Sequence, residues 1–140
     1  MPLNLTNVVL FPKRMAQIKN FGGMGFNGYT PTDIDVAFEY DAKFFIFGEL
    51  KLVGVDIPKG QALMLWHLCE VVNKSGGECL AFVAEHDTTP EQEIDVANCI
   101  ITEMIYTRDG KIKQRGGVNK TVKHICDAYL ERWQNGKGKK

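Results

Sequence analysis

The chain has 140 residues, 44% hydrophobic and 24% charged, which is enough apolar material for one ordinary core and too little charge for a disordered polyelectrolyte. Its 17 basic and 17 acidic residues cancel, and no apolar run approaches the roughly 18 residues that span a bilayer. The start, "MPLNLTNVVLF", lacks the basic region, long apolar centre and small-residue cleavage site of a secretory leader, so a single globular domain over residues 1–140 with a cytoplasmic location is expected.

Residues 1–20 read as either a short helix or an extended segment, because "KRMAQIKN" is short and Pro12 precedes it. "GMGFNG", Gly23 to Gly28, matches GxGxxG by letter. A dinucleotide fingerprint follows a strand and opens a helix, whereas Pro31 and a strand-like segment follow here, so the stretch reads as a loop. "DIDVAFEY", Asp33 to Tyr40, alternates polar with apolar, "DAK" supplies a turn, and "FFIFGELKLVG" continues as a second strand. A three-residue loop from Asp41 to Lys43 sets Tyr40 opposite Phe44 and brings Asp35 opposite Glu49. The second strand is apolar on both faces from Phe44 to Phe47, as suits a central strand covered on both sides.

"KGQALMLWHLCEVVNKSGG" predicts a helix of about four turns ended by Gly76 and Gly77. "ECLAFVAEH" is a further strand, "DVANCIITEMIYT" and "KIKQRG" form a second hairpin around Asp109-Gly110, and "NKTVKHICDAYLERW" is an amphipathic final helix. A helix set between strands indicates an α/β (α+β) domain built on a mixed sheet. The four cysteines lack any CxxC spacing and the three histidines lack the pairing of a zinc site, so the thiols read as reduced, buried small hydrophobes.

The chemistry concentrates at the end of the most apolar strand. Side chains at i and i+2 share a face, so Glu49 and Lys51 point the same way, and the hairpin register adds Asp35 to them. Asp33 lies on the same face two residues before Asp35. Two carboxylates a strand apart make a hard-oxygen site suited to Mg²⁺ or Mn²⁺ with waters and a substrate phosphate. A buried, purely structural Glu49-Lys51 ion pair is the competing reading.

"PTDID", "FIFGELK" and "DIPKGQ" together resemble the PD-(D/E)xK nuclease superfamily, including the virus-type replication and repair nucleases and the phage or archaeal junction resolvases. The resemblance covers roughly residues 29–85. It implies a restriction-endonuclease-like core of order αβββαβ, divalent-metal-dependent hydrolysis of phosphodiester bonds and a DNA substrate. Carried over by position, Asp35 or Asp33 matches the first acid, Glu49 the second, Lys51 the lysine and Gln61 the glutamine that opens the following helix. Two departures stand out: Pro31, Thr32 and Asp33 spread the "PD" pair, and no acid occurs in residues 1–28, so the first-helix metal ligand of some members is absent.

The charge is unevenly placed. Residues 1–107 hold 7 basic against 14 acidic residues and residues 108–140 hold 10 against 3, including the short basic tail at 135–140. Lys111, Lys113, Arg115, Lys120 and Lys123 are therefore the expected DNA contacts, acting by counterion release. The expectation is a metal-dependent DNA endonuclease, junction-resolvase-like, serving replication, recombination or repair of a phage or mobile element. Cutting two strands with one site per chain calls for a homodimer. The alternative is a non-catalytic nucleic-acid-binding protein with the same fold.

Overall fold

The computed structural model describes residues 19–137, with side chains described to residue 136. The chain divides into two compact units, Met1–Thr32 and Asp33–Lys140. In the first, Gly22–Met24 forms a single 3₁₀ turn and Phe26 bridges to Tyr29, so the GMGFNG stretch is a loop, as its sequence context indicates. The choice between helix and extended chain over residues 1–18 lies outside the described residues, as does the basic tail beyond residue 137.

The second unit carries five strands and two helices: β1 (Val36–Tyr40), β2 (Phe44–Leu52), α1 (Lys59–Lys74), β3 (Glu78–His86), β4 (Ile100–Arg108), β5 (Lys111–Thr121) and α2 (Val122–Lys137). The strands form one sheet in the order β1-β2-β3-β4-β5, with β2 and β3 parallel and every other neighbour antiparallel. The fold is thus a mixed α+β sheet with a helix on each face. The one parallel pair follows from chemistry already visible in the chain, since α1 carries it from the end of β2 back to the start of β3. Two strands, not three, precede this helix among the described residues.

Alternation along the strands sorts the two cores. Phe45, Phe47, Cys79, Ala81 and Val83 meet Leu65, Cys69 and Val72 of α1. Phe44, Ile46, Leu80, Phe82, Ala84, Ile101 and Met104 meet Val122, Ile125 and Tyr129 of α2. Trp133 closes this second layer, with its ring centroid 5.1 Å from Tyr40 and 5.6 Å from Phe44. Glycine at position 48 is required by packing: a Cβ there would run into the Phe82 ring. Among the described residues no helix is long and apolar enough to cross a membrane.

Several boundaries differ from the periodicity reading, the first being that of β1, which begins at Val36 and not at Asp33. The final helix begins at Val122 and not at Asn119, because Lys120 and Thr121 stay paired to β4, where Thr121 opposes Ile100 and Lys120 opposes Ile101. A bulge in β5, with positive φ at Gly117 and Asn119, permits that late pairing. β4 likewise starts at Ile100, after a 3₁₀ turn over Val96–Asn98.

Candidate functional site

The β1–β2 hairpin has the register read from its loop, with Tyr40 opposite Phe44 and Val36 opposite Gly48. Continuing that register one step sets Asp35 opposite Glu49. Asp35 is fixed there by accepting a 2.8 Å hydrogen bond from the Leu50 backbone N–H. The acid at the mouth of the hairpin is thereby aimed by the strand that carries its partner.

Glu49 is 1% exposed, the most deeply buried acid among the described residues. Burial first, then a hydrogen bond shared with the Asp35 carboxyl, then the charges of Asp35 and Asp33 push its carboxyl up to about 8. Two carboxyls in hydrogen-bond contact must hold a proton between them. Glu49 Oε1 is nevertheless buried without a hydrogen-bond partner among the described residues. A buried acceptor of this kind, beside a second carboxyl, fits a hard divalent cation that would replace the shared proton. No group of three His, Cys, Asp or Glu side chains gathers as a metal site among the described residues.

Lys51 lies on the same face as Glu49, and its ion partner is Glu85, not Glu49. Its Nζ is 4.0 Å from Glu85 Oε2, and both side chains are half-buried. The parallel register puts the two residues side by side on β2 and β3, and Glu85 also accepts the Gly54 N–H at 3.2 Å. A buried Glu49-Lys51 pair, the competing structural reading, is therefore not what the fold contains. Glu85 was missed from sequence because nothing local reveals which residue of "ECLAFVAEH" a parallel neighbour will meet.

Beyond Glu85 the surface opens into a depression of about 550 Å³ walled by Val53, Glu85, His86, Asp87 and Asp95 among others. This wall is acidic, which favours cations over bare phosphate. Gln61 sits half-buried in the first turn of α1, on the sheet face that carries Glu49 and Lys51, with its backbone N–H donated to Pro58 O at 3.0 Å.

The basic residues lie elsewhere. Lys111, Lys113 and Arg115 are exposed at alternate positions of β5, the edge strand farthest from β1. Lys113 opposes Tyr106 and Arg115 opposes Met104, so they project on the α2 side, whereas Glu49 and Lys51 project on the α1 side. Three strand spacings, about 14 Å, separate β5 from β2. Lys120 is the next-to-last residue of the same strand, and Lys123 in the first turn of α2 is ion-paired to Asp127 at 2.9 Å. The fold brings Asp35, Glu49 and Lys51 together, and it places the basic strip on the far edge and opposite face.

Comparison with known protein families, curated proteins and solved structures finds no match to this chain.

Proposed function

We propose that the protein is a divalent-metal-dependent DNA nuclease with a restriction-endonuclease-like core, its site formed by Asp35, Glu49 and Lys51. The observation that carries this reading is the meeting of two carboxyls, one of them buried with an unpartnered oxygen, beside a lysine on the same face of the strand. Asp35 and Glu49 would hold Mg²⁺ or Mn²⁺, with Asp33 close enough for its charge to act on Glu49. When bound, the ion polarises the scissile phosphate and lowers the pKa of an attacking water.

The chain's own residues supply position and charge. The Leu50 N–H and the burial of Glu49 hold the two carboxyls in place, so little reorganisation is needed when the cation arrives. Lys51 neutralises charge building on the phosphoryl oxygens, and Glu85 on the neighbouring strand keeps its ammonium from swinging away. Gln61 contributes an amide from the helix that roofs the same face.

The basic strip of β5 supports DNA affinity away from the chemistry, an arrangement suited to a substrate that wraps an edge of the domain, such as a branched one. A homodimer would give one site per strand of a duplex or junction. A strip remote from the acids also suits a binder that never cuts, and metal separates the two readings.

The test is incubation of the purified protein with labelled duplex, single-stranded and four-way-junction DNA, with Mn²⁺, with Mg²⁺ and in EDTA. Cleavage that needs the metal and is lost in Asp35→Ala and Glu49→Ala supports the nuclease. Binding in EDTA with no cutting under any condition would leave the non-catalytic binder.

A further inference from the structure

The GMGFNG loop, excluded as a nucleotide fingerprint, has a geometry of its own. Phe26 and Tyr29 close a two-residue turn, each donating its N–H to the other's carbonyl at 2.8 and 2.9 Å. Asn27 and Gly28 between them both have positive φ, 49° and 81°, the backbone of a type I′ turn and the reason for the Asn-Gly pair. Residues paired in this way project from the same face of the ribbon. Their rings are 75% and 78% exposed, the two most exposed large apolar side chains among the described residues.

Two aromatic rings held at a hydrogen-bonded tip call for an occupant, and magnitude selects among the candidates. Rings of this size each bury on the order of 150–250 Å², well short of the roughly 800 Å² per partner that a stable protein interface needs. An unpaired base needs only one ring face. Charge points the same way: Met1–Thr32 contains Lys13, Arg14 and Lys19 and no Asp or Glu, so the unit is complementary to a polyanion.

We propose that the Phe26–Tyr29 turn is a stacking element for the unpaired bases of a single-stranded nucleic acid. This goes beyond the nuclease reading and does not depend on cleavage. Each ring would cover one base face without reading its hydrogen-bonding edge, so binding would be tolerant of sequence. The net positive charge of the same unit would add a salt-dependent attraction to the phosphates. A branched or partly unwound substrate supplies such bases, and a fully paired duplex does not.

The experiment is fluorescence anisotropy in EDTA, titrating the full chain into a labelled 20-nucleotide single strand and into the matching duplex. Phe26→Ala and Tyr29→Ala should each weaken single-strand binding by roughly tenfold and leave duplex binding unchanged. The slope of affinity against salt should not move, because no charge is removed. Both side chains are exposed, so the circular dichroism and melting of the variants should match the parent. In Tyr29→Trp, the added emission should be quenched by the single strand. Three results would overturn the proposal: no single-strand binding by the parent, equal affinity of the double alanine variant, or emission in Tyr29→Trp that responds to anionic vesicles and not to the oligonucleotide.

Discussion

In the metal-free protein, Glu49→Gln should raise stability at alkaline pH and leave it nearly unchanged at acidic pH. Glu49 titrates near 8 in the folded chain against 4.5 for an ordinary glutamate, so between these values the folded state holds a proton that the unfolded state has released. Its folded pKa is raised, so the stability it contributes is fully present below pH 4.5 and is lost as pH climbs through 8. The loss amounts to about 1.4 kcal/mol per pH unit and roughly 5 kcal/mol over the whole interval. Gln cannot ionise, and its amide can donate to Asp35 as the protonated acid does. The assay is denaturant and thermal unfolding of parent and variant side by side in EDTA from pH 5 to pH 8.5, where the difference between the two removes the three histidines and every other shared titration. The two melting temperatures should coincide to within a few degrees at pH 5 and separate by more than roughly 10 °C at pH 8, with the variant higher. Millimolar Mg²⁺ should restore the parent and leave the variant where it was. Curves that stay parallel across the range would show that Glu49 is not held protonated, and the carboxyl pair would lose its standing as a cation site.

Lys51→Met should fold and melt close to the parent, since Lys51 pairs with half-buried Glu85 and not with buried Glu49, yet lose turnover by about a hundredfold or more in the cleavage assay. Gly48→Ala should cost about 1–3 kcal/mol in chemical denaturation, because the new methyl meets the Phe82 ring, and Phe82→Leu in the same chain should recover part of that loss. Replacing Lys111, Lys113 and Arg115 together by Gln should weaken duplex binding and flatten its salt dependence while leaving Mg²⁺ binding intact, as isothermal titration with metal alone would show. Asp33→Ala should impair cleavage less than Asp35→Ala, since the Leu50 N–H aims Asp35 at Glu49.

The hairpin that forms the site was legible in the chain itself. A three-residue loop between strands of fixed period leaves one register, and that register sets Tyr40 against Phe44 and so Asp35 against Glu49. The helix after β2, the strand "ECLAFVAEH" and the Asp109-Gly110 turn were equally local, each declared by a periodicity or by a residue tolerant of positive φ. What periodicity left open was decided between elements distant in sequence. Glu85 became the partner of Lys51 through parallel pairing across the helical crossover, and no local pattern encodes the register of two strands joined through a helix. The late start of α2 was set by the bulge in β5 beyond Gly116, which shifts its last pairing with β4. The burial of Glu49 required both the hairpin and the layer of α1, and only their assembly turned an ordinary acid on an apolar strand into one that holds its proton to about pH 8.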